Sequence, residues 1–303
     1  MATRITAALR STAIEIGGKP AGFLASASVP QIDWPRAASM PPPKRGEATV
    51  IGPFAASLGP FAGSAAIAGP GELLDWLLTL PRGTSTATDG ALLEADFNFN
   101  IKRRVDWAGG LLREVQWPTL DAREGKKPFS VGFKWQPATI AFSTGGGKVA
   151  GTSGAKTKAW LTSNFRFSLG AGKIDSKFVS RVEMPSLRAK VAADTGQTVG
   201  RGRRPATPGG VEIGPLRVAF TGAGREVALD FARAAMKSGV SPATDNIDVT
   251  IEMLDTALKK TLGTFQLGGC LLLSYEEPAI DNQADRVAET TLTFSVESFD
   301  FQA

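Results

Sequence analysis

The sequence predicts a mainly β protein, a β-sandwich or barrel with one packed α-helix per domain, in two tandem copies. Three observations predict this fold. Thirty-four glycines and 19 prolines divide the chain of 303 residues into short segments. Several of these segments alternate apolar and polar residues, as half-buried strands do. Finally, one order of short motifs occurs twice along the chain, which indicates an internal repeat.

The repeated motifs keep the same order in both halves. The matched pairs are Ile14-Glu15-Ile16 with Phe165-Arg166-Phe167, Ile51-Gly52-Pro53 with Ile213-Gly214-Pro215, Leu74-Asp75-Trp76 with Leu229-Asp230-Phe231, Ala87-Thr88-Asp89 with Ala243-Thr244-Asp245, and Gly109–Leu112 with Gly268–Leu271. Each copy then ends on an alternating strand, at Phe133–Phe142 and Leu292–Phe301. A tandem duplication explains this order better than the alternative, two unrelated β domains with similar turns.

A glycine-rich polar stretch separates the copies, Ser143 to Lys156. Such a composition is typical of a flexible linker. We therefore expect a first domain over residues 1–143, a linker over 144–159 and a second domain over 160–303.

Each copy is expected to open with a hairpin and to contain one helix. In the second copy, Phe165–Leu169 alternates as a strand, and Phe178–Val182 is predicted to be its return strand. The spacing of apolar residues predicts helices over Gly71–Leu80 and Arg225–Lys237. Gly83 and Gly239 are placed where C-terminal caps belong. The segment Ile247–Leu258 begins with strand spacing and ends with helical spacing, so the sequence leaves it open.

Composition excludes several kinds of chemistry. The chain has no histidine, and Cys270 is its one cysteine. Ser-His-Asp and Cys-His catalysis, an internal disulfide and a cysteine-based zinc site are therefore excluded. The adjacent carboxylates Glu276 and Glu277 flank a turn, where solvation is the simpler interpretation. We expect no catalytic residue, no metal and no cofactor.

The strongest charge feature consists of basic residues in two long loops. They are Lys44, Arg45, Arg201, Arg203 and Arg204. The loops occupy matching positions in the two copies, so we predict that these residues make assembly contacts with acidic patches of neighbouring proteins. Contact with nucleic-acid phosphates or simple solvation are the alternatives. No aromatic residues alternate with them, which argues against a platform for single-stranded nucleic acid.

The sequence also predicts where the protein is found. The first residues lack the apolar core of a secretory signal, and no apolar run is long enough to span a bilayer. We therefore expect assembly in the cytoplasm, with no membrane insertion.

The end of the second copy resembles a known family. Gly263–Cys270, Ser274-Tyr275-Glu276 and Ala288–Val296 combine a polar turn with alternating threonine and apolar residues. This segment resembles the C-terminus of tail-tube proteins from contractile phages and related injection systems. The resemblance implies a β-sandwich or barrel with one helix, assembling with itself into sixfold rings that stack as a hollow tube. It also implies neighbouring tail, sheath or baseplate proteins as partners, a virion or phage-tail-like particle, and passage of DNA or effector cargo through the lumen.

The doubled domain departs from that family, whose tube subunits carry one copy. Three chains could supply six domains to one ring, or six chains could each span two stacked rings. Tube, initiator and hub all remain open. The alternative function is a two-domain module that binds a carbohydrate or surface ligand, because six tryptophans could stack on sugars. An enzyme relying on Asp, Glu or Lys alone is a third hypothesis.

Overall fold

The computed structural model describes residues 11–33, 57–149, 159–170, 174–191, 208–237, 247–278 and 287–302. We call the described residues up to 149 the first half and those from 159 the second half. Most described residues lie in antiparallel strands, and each half contains one α-helix. The mainly β fold class predicted from the sequence is therefore confirmed.

The first half contains eleven strands and one helix. In chain order they are β1 (Ser11–Ile16), β2 (Lys19–Leu24), β3 (Ser26–Ser28), β4 (Ile32–Asp33), β5 (Ser57–Leu58), β6 (Phe61–Ala66), α1 (Glu72–Leu78), β7 (Thr88–Ala95), β8 (Ile101–Gln116), β9 (Leu120–Asp121), β10 (Ser130–Gln136) and β11 (Thr139–Thr144). The strands pair in the order β2-β1-β7-β8-β10-β6-β3, and β11 also pairs with β8.

The second half contains ten strands and one helix. They are β12 (Phe165–Leu169), β13 (Ile174–Asp175), β14 (Val179–Glu183), β15 (Leu187–Val191), β16 (Pro208–Ile213), β17 (Leu216–Phe220), α2 (Gly224–Lys237), β18 (Ile247–Leu254), β19 (Thr261–Glu276), β20 (Thr290–Ser295) and β21 (Ser298–Gln302). The pairing order is β13-β12-β18-β19-β20-β17-β14, with β21 on β19. It reproduces the order of the first half strand for strand.

A long bent strand organises each half. β8 pairs with β11 over Arg103–Ala108 and with β10 over Leu111–Gln116, and β19 divides between β21 and β20 in the same way. The change of partner occurs at Gly109 and Gly269, whose φ angles are +63° and +64°. A glycine adopts this left-handed conformation without steric cost, so it permits the bend.

This bend corrects two expectations. Gly109 corresponds to Gly269, one residue later than the match made from sequence. The predicted closing strand of each copy is in fact two strands, because β10 and β11 pair with different parts of β8 and turn at Pro137 and Ala138. The closing segment of the second half divides likewise into β20 and β21.

The match made for Ile51-Gly52-Pro53 was also wrong. The residues equivalent to Ile213-Gly214-Pro215 are Leu58-Gly59-Pro60, not Ile51-Gly52-Pro53, which lies outside the described residues. The backbone identifies them: Gly59 N donates to Gln31 O at 2.9 Å, as Gly214 N donates to Ser186 O at 2.7 Å.

The return strand of the second hairpin was also misplaced. β12 pairs with β13 and β18, whereas Val179–Glu183 pairs with β17 and β9. The alternation of Phe178, Ser180 and Val182 indicates a strand with a buried face. It does not indicate which neighbouring strand this strand pairs with. The open segment after Ile247 is a strand to Leu254, and Leu258 lies in a turn with a φ angle of +57°.

The helices lie where the sequence placed them. α1 is shorter than predicted and starts after Gly71, while α2 begins at Gly224. Gly83 lies in the turn beyond α1, with a φ angle of +66°, and Gly239 is outside the described residues. The ring of Trp76 meets that of Trp135 edge-on at 5.9 Å, and Phe231 meets Phe294 in the same way at 6.1 Å. An equivalent edge-on aromatic pair thus packs each helix on its sheet, and Trp76 also meets Phe133 edge-on at 6.0 Å.

Candidate assembly interface

The two halves are joined by strand pairing. β9 of the first half pairs with β14, through Leu120 with Val182 and Asp121 with Arg181. β15 of the second half pairs with β8, through Leu187 with Val115 and Arg188 with Glu114. The larger cluster of buried apolar residues contains residues of both halves. We call this junction the internal joint.

Aromatic side chains fill the internal joint. Trp117 of the first half stacks on Phe299 at 5.5 Å and meets Phe265 edge-on at 5.2 Å. The ring centroid of Phe129 lies 5.9 Å from that of Phe265 and 5.9 Å from that of Trp160. All five residues are buried. Aromatic rings contribute large apolar area and favourable edge-on or offset contacts, so this cluster is the main apolar part of the joint.

Trp160 is hydrogen-bonded to the first half although it follows the predicted linker. Its N–H donates to Ile67 O at 2.8 Å, and its carbonyl accepts from Phe129 N at 2.7 Å. Thr162 N donates to Lys127 O at 3.0 Å. The chain therefore enters the second half along an edge of the first.

Ion pairs and charged hydrogen bonds surround the aromatic cluster. Arg123 contacts Glu289 at 2.7 Å, and Arg188 contacts Glu114 at 3.6 Å. Arg82 donates from Nη2 to the carbonyl of Phe301 at 3.0 Å. Half-exposed ion pairs contribute little stability by themselves. The main effect of these contacts is therefore to set the orientation of the two halves.

Two of the carboxylates at the joint, Asp121 and Glu114, have pKa values below their usual range. For Asp121 the main cause is the hydrogen bonds from the Arg123 side chain, at 3.0 and 2.8 Å, which outweigh burial. Burial raises the pKa of Glu114, but hydrogen bonds from Lys134 and Gln116 lower it by more. Both groups are therefore held as carboxylates that face arginine.

The joint uses different surfaces of the two halves. The first half contributes β9 and the end of β8, and the second half contributes β14, β15 and the face formed by β19 and β21. Such a head-to-tail contact is heterologous, so repeating it generates a ring or an open filament. The counterparts of the joined surfaces are the outer edge of β3 and the outer edge of the end of β19. No described strand pairs with either of these outer edges.

The basic residues predicted as assembly contacts lie outside the described residues. Lys44 and Arg45 fall in the sequence between β4 and β5, and Arg201, Arg203 and Arg204 fall between β15 and β16. The two groups thus belong to connections of corresponding strand pairs, and their role in assembly remains a prediction.

Sequence reasoning missed the residues of the internal joint. A usable signal was present, because Pro118-Thr119-Leu120-Asp121 recurs as Pro278-Ala279-Ile280-Asp281. Of the second motif, only Pro278 is among the described residues. The recurrence of the motif around Leu120 and Asp121 was therefore the signal in the sequence for this pairing segment.

The tryptophans among the described residues are core residues. Five tryptophans, Trp76, Trp107, Trp117, Trp135 and Trp160, are buried, and Trp34 is outside the described residues. None of these five can stack on a sugar in solution.

Within the part of the chain that the structure describes, no three carboxylate or thiol side chains are grouped to hold a metal ion. The described helices include none that is both long and apolar enough to cross a membrane.

Comparison with solved structures finds proteins of contractile injection systems. The tube-terminating cap of the anti-feeding prophage has 15% sequence identity and a TM-score of 0.42, with 51% of this chain and 97% of that chain covered. The sheath/tube terminator of the extracellular system PVC has 18% identity and a TM-score of 0.41, covering 49% and 100%. Hcp1 from Flavobacterium johnsoniae has 13% identity and a TM-score of 0.31, covering 45% and 93%. No protein-family model matches the chain, and no curated protein sequence matches it significantly.

Proposed function

We propose that this protein is a ring-forming structural component of a phage tail or contractile injection system, as an inner tube, tube-initiator, cap or hub subunit. The observation that supports the proposal is the internal joint. Two halves with one strand order are joined head to tail through strand pairing, and the counterpart surfaces at the two ends have no described strand partner. A chain built in this way contains two successive units of a cyclic assembly.

The tandem duplication is part of this proposal. Equivalent strands, helices and aromatic contacts in the halves support a common origin, and the domain boundaries proposed are those expected from sequence, 1–143 and 160–303. The sequence resemblance to tail-tube proteins implies a phage tail or a contractile injection system as the particle. The solved structures found by comparison include parts of contractile injection systems. We propose no catalytic role.

We further propose that three chains close one ring. The family resemblance implies six units per ring, and the strand pairing at the internal joint supports an arrangement of the two units side by side in one ring. A chain spanning two stacked rings would instead need the second unit above the first. Partners are then further copies of the chain and the adjoining tail, sheath or baseplate proteins.

Native mass spectrometry combined with negative-stain imaging tests this function. The expected result is closed rings, with three chains in the smallest stable species. Rings of six chains would refute the trimer and keep the ring-forming function. Monomers at every concentration, in preparations with native circular dichroism, would refute the function itself.

The basic loops supply a second test. Reversing the charges of Arg201, Arg203 and Arg204 is expected to impair assembly and leave the fold intact, because exposed charges contribute little to stability. Lys259 and Lys260 are exposed in a turn and provide a matched control for charge reversal. Unchanged assembly of the triple variant would contradict an assembly role for this loop.

A further inference from the structure

We infer that the next copy of this chain docks by adding its β4–β5 strand pair to the free edge of β19. The edge consists of Leu271–Glu276, and the contact would repeat between chains what β15 and β8 do within one chain. The inference rests on the proposed ring-forming function and specifies the surface by which rings close.

The first step is the equivalence of the two strand pairs. β4 and β5 follow β3 and precede β6, as β15 and β16 follow β14 and precede β17. Ile32 pairs with Leu58 as Leu187 pairs with Ile213. A backbone hydrogen bond from a glycine closes both pairs, at Gly59 and Gly214. Ile32 is therefore the counterpart of Leu187.

The second step is the equivalence of the two edges. Phe133 of β10 pairs with Val115, and its counterpart Leu292 of β20 pairs with Tyr275. Val115 also pairs with Leu187 on its other side. Tyr275 has no second strand partner among the described residues. Backbone N–H and C=O groups at such an edge are available to a further strand.

The third step is the difference in burial between these equivalent positions. Leu187 and Val115 are fully buried at 0% exposure, whereas Ile32 and Tyr275 are half-buried. Leu273, which lies in the same free edge two residues before Tyr275, is 61% exposed. Ile32 and Tyr275, at the two ends of the chain, thus lack the cover that Leu187 and Val115 have inside it.

A second pair of positions shows the same difference. Phe142 of β11 is the counterpart of Phe301 of β21, because they pair with Val105 and Phe265 at the same place on β8 and β19. Phe301 is 3% exposed beside Trp160, and Phe142 is 49% exposed. The head of the chain therefore presents Ile32 and Phe142, and the tail presents Leu273 and Tyr275.

The occupant that fits is a second copy of this chain. Backbone pairing alone would accept many strands, but the internal joint shows that this chain already forms the contact with its own sequence. Ile32 would pair with Tyr275, and Asp33 with Ser274, in the register of Leu187 with Val115 and Arg188 with Glu114. Covering both ends of every chain requires that the chains close into a ring, because an open filament leaves its two terminal surfaces uncovered.

Cysteine cross-linking of the full chain tests this register. Ile32→Cys combined with Tyr275→Cys places two thiols at Cα partners across the proposed contact, where a disulfide fits. Cys270 is fully buried and can stay. Mild oxidation is expected to give covalent multimers that end at the ring, and each single variant is expected to give none above dimer. Arg188→Cys with Glu114→Cys, Cα partners across the internal joint, reports whether oxidation occurred within the chain.

The outcomes separate this inference from the proposed function. Rings that form without cross-linking the pair, while the control pair oxidises, overturn this interface and leave the function standing. Monomers with no cross-link overturn both. Leu273→Lys is expected to reduce ring formation at least tenfold, whereas Met236→Lys, at a 69% exposed position on α2, is expected to leave it unchanged. Equal assembly by the two lysine variants would count against the surface.

Discussion

Trp135 allows the packing of the first half to be tested quantitatively. Its side chain is fully buried, with ring centroids of Phe61 at 4.8 Å, Trp107 at 5.2 Å, Phe133 at 5.5 Å and Trp76 at 5.9 Å. Trp135→Ala removes most of these contacts and leaves a cavity. The expected loss in the free energy of unfolding is about 3–5 kcal/mol, the usual range for a buried aromatic residue.

Trp135→Phe is expected to cost far less, for a reason specific to this site. The indole Nε1 of Trp135 is buried with no hydrogen-bond partner among the described residues. Replacing it removes a buried unsatisfied donor, which is worth about 1–3 kcal/mol. This gain offsets most of the packing lost with the smaller ring. The second half has Phe294 at the equivalent position, so the fold accepts phenylalanine there.

Trp107 provides the matched control in the same cluster. Its Nε1 donates to the carbonyl of Thr88 at 3.1 Å, so Trp107→Phe loses a hydrogen bond as well as ring area. Urea unfolding followed by circular dichroism should rank the variants with Trp135→Phe the most stable, Trp107→Phe lower by about 1 kcal/mol or more, and Trp135→Ala the least stable. Equal losses for Trp135→Phe and Trp135→Ala would refute this reasoning.

Three further predictions concern single positions. Gly109→Ala and Gly269→Ala should each lower stability by about 1–3 kcal/mol, because both glycines have positive φ angles, and urea midpoints below wild type would show it. Arg123 lowers the pKa of Asp121, so this carboxylate should stabilise the protein above about pH 4, near its unfolded pKa. The contribution should be lost as the pH falls towards the folded pKa. Asp121→Asn should therefore flatten this part of the profile of unfolding free energy against pH. Burial raises the pKa of the Cys270 thiol to about 12, so a thiol reagent should label it at pH 8 only in urea, and rapid labelling of the native protein would contradict its burial.

The sequence by itself determined the local elements. Alternation identified strands such as Phe165–Leu169, helical spacing identified both helices, and the absence of histidine excluded whole classes of catalysis. These properties depend on residues close together in the chain, where side-chain period and burial are directly linked. The order of repeated motifs also indicated two similar halves, although Leu58-Gly59-Pro60 and Gly269 correct its register.

Only the tertiary structure decided which strands are partners. Val179–Glu183 alternates as a hairpin strand would, yet it pairs with β17 and with β9 of the other half. Leu187 and Ile32 are equivalent in sequence position, and their burial differs because β8 covers one of them. A strand edge bonds to whichever strand the packing of the whole chain brings beside it, and that information is not contained in any local segment.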